Sequence, residues 1–170
     1  AKIQAEAGLV SGIADALLDS NTSGGSHVLF GAHNCPDEQS RIQYGTLPAE
    51  RASIDKPPSA SPSNPAPIAI VIHGGGWVIG AREDTCTQKN ALLAKGFFTV
   101  NADYQIASEG SPSWPTAHEG IIKLVDWVKT NAPSQGGDPQ HITMLGVSAG
   151  GHLAYLTSLQ INNVSPGTIK

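Results

Sequence analysis

Three largely apolar segments, each followed by a stretch with helical spacing, constrain the fold of this chain most strongly. They are 68–72 (IAIVI), 97–104 (FFTVNADY) and 141–147 (HITMLGV). Strands with such continuous apolar character are typical of a parallel sheet that is covered on both faces. The repeated order of strand and helix therefore predicts an α/β fold of three layers, in which right-handed crossovers connect a mostly parallel sheet.

The predicted helices of this core lie at 83–95, 116–131 and 149–159, and the first of them ends at Gly96. Residues 2–19 also have the apolar spacing of an amphipathic helix. These four segments are the expected helices of the chain.

The first part of the chain is expected to contain shorter elements. A flexible break at 21–26 precedes short antiparallel strands at 27–32 and around Ile42 and Tyr44. Residues 57–67 contain five prolines, which predicts a loop rather than the interior of a strand.

Composition bounds the classes of protein to which the chain can belong. Its 170 residues, 39% of them hydrophobic, suggest a single globular domain with a substantial core. The net charge is −4 without a basic run, which argues against a nucleic-acid partner. No apolar stretch approaches the roughly 20 residues that span a bilayer, so no transmembrane segment is expected.

The cysteines leave two alternatives open. Cys35 and Cys86 are either independent thiols or a disulfide that closes a long loop, and a disulfide would imply an oxidising compartment. The triplets NTS at 21–23 and NVS at 163–165 have the pattern of glycosylation acceptors. These features favour a secreted or periplasmic protein.

The stretch GVSAGGHLA at 146–154 contains the pattern Gly-x-Ser-x-Gly. It follows a predicted buried strand and opens a predicted helix, which is the setting of a nucleophile elbow. A strained turn would expose the Ser148 hydroxyl, and the helix N-terminus would favour developing negative charge. The pattern therefore predicts a nucleophilic serine.

The stretch HGGGW at 73–77 also follows a buried apolar strand. Consecutive glycines allow backbone N–H groups to approach a ligand closely. An oxyanion hole requires such donors, fixed before the reaction starts. We therefore expect this turn to supply donors of an oxyanion hole.

Together the two motifs resemble those of the α/β-hydrolase esterases and lipases, in particular the hormone-sensitive-lipase-like and feruloyl-esterase-like branches. The ending GGHLA favours the second branch. The stretches YGTLP at 44–48 and GGDPQHI at 136–142 are similar to the family pattern as well, and so is Asp103-Tyr104. Gln105 and His141 stand where the family has arginine. The resemblance covers residues 40–160.

The resemblance implies an α/β-hydrolase fold and a serine carboxylester hydrolase acting through an acyl-enzyme on a small-molecule ester. Ser148 would be the nucleophile, and the backbone N–H groups of Gly75, Gly76 and Ala149 would form the oxyanion hole. Trp77 would lie beside the acyl pocket. Neither a metal nor an organic cofactor is implied.

In this fold the triad acid and the histidine follow the serine along the chain. Lys170 is only 22 residues after Ser148, so both partners are expected in polypeptide beyond Lys170, in the remainder of the same hydrolase chain. Residues 1–170 would then be the N-terminal part of a single α/β-hydrolase domain, truncated after the nucleophile helix. Within it, 1–26 would be an N-terminal helix and linker, and 27–170 the sheet and helices.

An internal histidine could replace the missing base only if it reached the serine. We expect structural roles for His73 and His152, and surface or helix-end positions for His118 and His141. Asp103 and Asp126 are expected to be hydrogen-bonding scaffold residues. His27 and His33 are the remaining two of the six histidines.

Two other functions use the same features. An amidase-type relative, such as an arylformamidase, would apply the same machinery to an amide. A non-catalytic hydrolase fragment would act as a binding or structural unit. Sequence beyond Lys170 would separate the second alternative from an enzyme, because only an enzyme needs a downstream acid and histidine.

Overall fold

The computed structural model describes Cys35 and residues 39–170. The predicted helix at 2–19, the break at 21–26 and the strand at 27–32 lie outside these residues. His27 and His33 lie outside them as well.

The described residues form five strands and three α-helices, which alternate from the third strand onward. The strands are β1 (Ser40–Gln43), β2 (Arg51–Asp55), β3 (Ala66–Ile72), β4 (Phe98–Ala102) and β5 (Gly137–Gly146). The helices are α1 (Cys86–Ala94), α2 (Thr116–Asn131) and α3 (Ala149–Val164). Short 3₁₀ turns at Arg82–Thr85 and Pro133–Gln135 precede α1 and β5.

The strands form one mixed sheet in the order β1-β2-β4-β3-β5. β3 lies between β4 and β5 and pairs in parallel with both. β1 and β2 extend the sheet in antiparallel fashion. The carboxyl ends of β3, β4 and β5 therefore meet at one edge, where ligands bind in α/β proteins of this type.

The two faces of the sheet are covered by different helices, which gives the predicted three layers. On one face, Ile70 and Val100 belong to a core cluster with Leu124 of α2 and Leu153 of α3. On the other face, Val71 and its strand neighbours form a second cluster with α1; its buried members are Ala69, Val71, Leu92 and Phe97. The continuous apolar character of β3 follows from this burial on both sides.

The observed boundaries differ from the predicted ones at several elements. The strand predicted at 68–72 begins at Ala66, inside the predicted proline loop, and the strand predicted at 97–104 is limited to Phe98–Ala102. The helix predicted at 83–95 is a 3₁₀ turn followed by α1, and the helix predicted at 149–159 continues to Val164. The strand predicted at 141–147 begins four residues earlier, because Gly137 pairs with Ala66 across a register shift in β3. The helix predicted at 116–131 has the observed boundaries.

One covalent and one ionic contact involve α1. Cys35 and Cys86 form a disulfide, which is the second of the two alternatives for these cysteines. Asp55 at the end of β2 accepts a hydrogen bond from the Lys89 ammonium at 2.8 Å, and both side chains are fully buried. The ion pair joins the sheet to α1.

Candidate active site

The elbow, residues 146–150, connects β5 to α3 at the carboxyl edge of the sheet. Ser148 is the N-cap of α3 and has φ 52° and ψ −116°. A positive φ in a serine is strained backbone, of the kind that clusters at functional sites. The residue is exposed, and its hydroxyl makes no hydrogen bond within the described part of the chain. The hydroxyl is thus free to meet a substrate.

The glycines of the elbow are required by close backbone contacts. A Cβ on Gly146 would lie 2.2 Å from the carbonyl carbon of Gly150. A Cβ on Gly150 would lie 2.3 Å from the carbonyl oxygen of Ile72, at the end of β3. Any side chain at either position would therefore push α3 away from the strands that carry the site.

The glycine loop, residues 73–80, follows β3 and lies beside the elbow. Gly75 has φ 114° and is buried, whereas Gly76 has φ 58° and is exposed. The N–H groups of Val78 and Ile79 both donate to the Gly75 carbonyl, at 3.1 Å each, which closes a tight turn. This turn presents the middle of the loop at the same sheet edge as Ser148.

Three backbone N–H groups around this junction have no acceptor among the described residues. Neither the Gly75 nor the Gly76 amide donates to an acceptor among residues 39–170. Ala149 is the first residue of α3, where an amide has no partner within its own helix. The predicted nucleophile and the three predicted donors are thus brought to one edge of the sheet.

His73 is engaged with its own loop. Its Nδ1–H donates to the Gly74 carbonyl at 2.6 Å, and its ring stacks on Tyr104 with centroids 4.3 Å apart. Burial lowers the pKa of His73, although the bond to Gly74 and nearby carboxylates oppose this shift. The imidazole therefore remains neutral at neutral pH, with its proton on Nδ1.

A second group of rings borders the site. Trp77 meets His152 edge to face at 5.4 Å, and Trp114 stacks on His118 at 5.3 Å. Burial, and after it the neighbouring His152, lower the pKa of His118. His118 lies near the start of α2 as expected, but it is buried by α3 rather than on the surface.

The other candidate acids and histidine are either hydrogen-bonded elsewhere or exposed. Asp103 accepts hydrogen bonds from the Arg82 backbone at 2.7 Å and from its guanidinium at 2.6 Å, so it has a scaffold role. Asp126 is exposed on α2. His141, near the start of β5, pairs with Asp138 at 2.7 Å. Within residues 39–170, no imidazole is hydrogen-bonded to both Ser148 and a carboxylate.

The described residues contain neither a candidate metal cluster nor a candidate membrane span. No group of three or more His, Cys, Asp or Glu side chains is arranged there to hold a metal ion. None of the helices in this part of the chain has the length and apolar character needed to cross a membrane.

Sequence reasoning did not find Tyr104 and Arg82 as neighbours of the glycine loop. In the sequence, the pair Asp103-Tyr104 is distinguished only by its similarity to a family pattern. The contacts themselves depend on the crossover that brings the end of β4 beside the end of β3.

The sequence of this chain is similar to that of a known protein family and of known esterases. Residues 54–166 match the BD-FAE family. Esterase LipC of Mycobacterium tuberculosis is 32% identical over 124 residues, which cover 72% of this chain and 30% of LipC. Versiconal hemiacetal acetate esterase of Dothistroma septosporum is 39% identical over 101 residues, which cover 58% of this chain and 29% of that enzyme.

A solved structure has the same fold. Est2, a thermophilic esterase of Thermogutta terrifontis, superposes with a TM-score of 0.65 and 27% sequence identity, over 71% of this chain and 44% of Est2. The chain spans about 30% of the length of LipC and less than half of the length of Est2.

Proposed function

We propose, since this chain belongs to the BD-FAE family of α/β-hydrolase esterases, that its protein hydrolyses carboxylic esters through an acyl-enzyme on Ser148. The observation that carries the proposal is the position of Ser148. Its exposed hydroxyl stands on a strained turn, beside three backbone N–H groups for which the described part of the chain offers no acceptor. This is the arrangement that acyl transfer to a serine requires.

In the proposed reaction, the Ser148 Oγ attacks the ester carbonyl carbon while a general base removes its proton. The carbonyl oxygen takes the negative charge, and the N–H groups of Gly75, Gly76 and Ala149 donate to it. Collapse of the tetrahedral intermediate expels the alcohol, which receives the proton. Water then attacks the acyl-enzyme by the same route and releases the acid and the free serine.

The general base is proposed to be a histidine outside residues 39–170, oriented by a carboxylate also outside them. The support is twofold. No histidine of the described residues is hydrogen-bonded to the Ser148 hydroxyl. In this fold the acid and the histidine follow the serine along the chain, and this chain spans about 30% of LipC. The remainder of the same hydrolase is the proposed source of both.

The surroundings of the glycine loop favour an ester with an apolar acyl or alcohol group. Trp77, Val78 and Ile79 are all exposed directly after the predicted oxyanion donors. Apolar side chains beside a reaction centre bind apolar substrate groups by removing both surfaces from water. No observation in the described residues favours an amide over an ester.

The test uses the full-length protein with a fluorophosphonate probe and p-nitrophenyl acetate. We expect the probe to label Ser148 and turnover to accompany labelling, with both lost in Ser148→Ala. Ser158→Ala is the matched control, because that hydroxyl lies on the same helix and bonds the Ala154 carbonyl at 2.7 Å. Labelling that persists in Ser148→Ala would exclude the assignment, and labelling without turnover would support a non-catalytic hydrolase.

A further inference from the structure

The β4 tail, residues 103–107, contacts the glycine loop and the residues just after it at three points. The Tyr104 ring stacks on His73, and its hydroxyl donates to the Gly74 carbonyl at 3.4 Å. The Ala107 N–H donates to the Trp77 carbonyl at 2.7 Å. The Asp103 carboxylate accepts from Arg82. The loop is thus attached near its start, in its middle and just beyond its end.

The contacts of Tyr104 with His73 and Gly74 restrain the peptide group between Gly74 and Gly75, whose N–H is one of the predicted oxyanion donors. The Gly74 carbonyl accepts from His73 Nδ1–H at 2.6 Å and from Tyr104 at 3.4 Å. Burial raises the pKa of Tyr104 to about 12, so its hydroxyl stays protonated at neutral pH. In a trans peptide the C=O and the following N–H point in opposite directions. Fixing the Gly74 carbonyl therefore fixes the direction of the Gly75 N–H.

The imidazole can fix that carbonyl only while its own ring is held in place. His73 has Tyr104 on one face, parallel within 12°. Gly80 lies beside it as well, since a Cβ on Gly80 would come within 2.8 Å of His73 Nδ1. The Tyr104 ring is therefore the side chain that keeps the imidazole in the orientation that bonds Gly74.

The second attachment stabilises an unfavourable backbone conformation. Trp77 has φ 63°, which is costly for a bulky side chain. Its carbonyl is held by the Ala107 N–H, so the strain is balanced by a bond to the β4 tail. Strained loops of this kind persist only where their surroundings over-determine them.

We propose that Tyr104 is a positioning residue for the oxyanion hole: by holding His73 and the Gly74 carbonyl, it directs the Gly75 N–H at the developing oxyanion. This inference rests on the proposed esterase function. Tyr104 makes no contact with the reacting atoms, so its loss acts through the hole rather than on substrate binding in the ground state.

The experiment measures kcat, KM and inhibition by a trifluoromethyl ketone in the full-length protein. The ketone forms a tetrahedral adduct on serine, so its Ki depends on the hole. Loss of a whole oxyanion donor costs about 10²–10³ in rate, and misdirection of one donor in Tyr104→Leu should cost roughly 10- to 100-fold in kcat. The Ki should rise in parallel while KM changes by less than about twofold. Tyr104→Phe, which keeps the stacked ring, should retain most of the activity.

Tyr44→Phe is the matched control. Its hydroxyl is also buried and bonds a main-chain carbonyl, that of Asp103, at 2.6 Å. Tyr44→Phe should lower the melting temperature and leave kcat and Ki unchanged. Wild-type kcat and Ki in Tyr104→Leu, or equal losses in Tyr44→Phe, would overturn the positioning role.

Hydrogen exchange of the Val78 and Ile79 amides, which donate to the Gly75 carbonyl, provides a readout that does not require activity. Both amides should exchange faster in Tyr104→Leu than in Tyr44→Phe, because the loop loses its first attachment. Unchanged exchange would overturn the inference. A wild-type protein without turnover and without Ser148 labelling would instead refute the proposed function, and the exchange data would still decide the role of Tyr104.

Discussion

A Cβ on Gly74 would lie 3.3 Å from the Cβ of Ser148 and 2.9 Å from the carbonyl oxygen of Val147. The glycine loop and the elbow are therefore in direct contact, although about 70 residues separate them in the sequence. The distance between the nucleophile and the predicted donors is set by this contact, with no side chain in between.

A methyl group at Gly74 should separate the two loops. Gly74 has no positive φ, so Gly74→Ala meets a steric rather than a conformational obstacle. We expect kcat to fall by about 10-fold or more, because a displacement near 1 Å at a reaction centre has effects of that size or larger. Gly120→Ala in α2, whose added methyl meets ordinary contacts, should keep wild-type kcat. Equal kcat in the two variants would contradict this prediction.

The role of Gly76 can be separated from its conformation. Gly76 and Gly96 have φ 58° and 91°, and an added Cβ would meet no atom within 4 Å at either position. Gly76→Val and Gly96→Val should therefore lose similar stability, about 1–2 kcal/mol. Only Gly76→Val should lower kcat, by up to about 10²-fold. Urea unfolding and ester turnover measure the two effects, and near-wild-type turnover in Gly76→Val would show that this glycine serves only the turn.

The buried pair of Asp55 and Lys89 should show strong coupling in a double-mutant cycle. Lys89→Met leaves an uncompensated buried carboxylate and should cost about 3–5 kcal/mol of unfolding free energy. The double variant Asp55→Leu/Lys89→Met should recover most of this loss, since no buried charge remains. Urea unfolding of all four proteins gives the coupling energy. Additive losses would show that the pair is not a unit.

Glu50 should make folding sensitive to acid. Burial opposes ionisation of this carboxyl, but the N–H groups of Leu47 and Thr46 and the Lys123 ammonium outweigh it, so the pKa of Glu50 lies below its usual value. A depressed folded pKa stabilises the protein above the unfolded pKa of about 4.3, and this contribution disappears as the pH falls through the folded pKa.

The matched variants for this carboxyl are Glu50→Gln and Glu119→Gln, which remove the same charge at a buried and at an exposed position. Glu50→Gln should be less stable than wild type by about 1–3 kcal/mol at pH 7, and the difference should shrink below about pH 4. Glu119→Gln should follow wild type throughout. A difference between wild type and Glu50→Gln that is constant with pH would exclude the mechanism.

The elements that the sequence predicted well have strong local signals. The boundaries of α2 at 116–131 follow from apolar spacing between Pro115 and the Pro133 that ends the helix. The strands β3 and β4 were visible as apolar runs because both of their faces are covered. The position of Ser148 on a strand-to-helix turn follows from these two kinds of signal together.

The elements that were missed are those whose polar residues find partners far away in the sequence. β2 reads as polar, yet its Ser53 and Asp55 are buried, and Asp55 is compensated by Lys89 at a separation of 34 residues. The burial of His118 against α3 and the stacking of His73 on Tyr104 likewise depend on tertiary contacts. No local pattern contains such information.

Because Lys89 is buried, its modification by acylating reagents can be used to measure unfolding. Acylating reagents attack only amines that they can reach, and the Lys89 side chain has no exposed surface, whereas that of Lys123 is 47% exposed. In a mass-spectrometric footprint, Lys123 would be modified in the native protein, and modification of Lys89 would accumulate only from molecules whose sheet and α1 had separated. The ratio of modified Lys89 to modified Lys123 would measure the fraction of unfolded molecules, also in mixtures that are unsuitable for optical measurements.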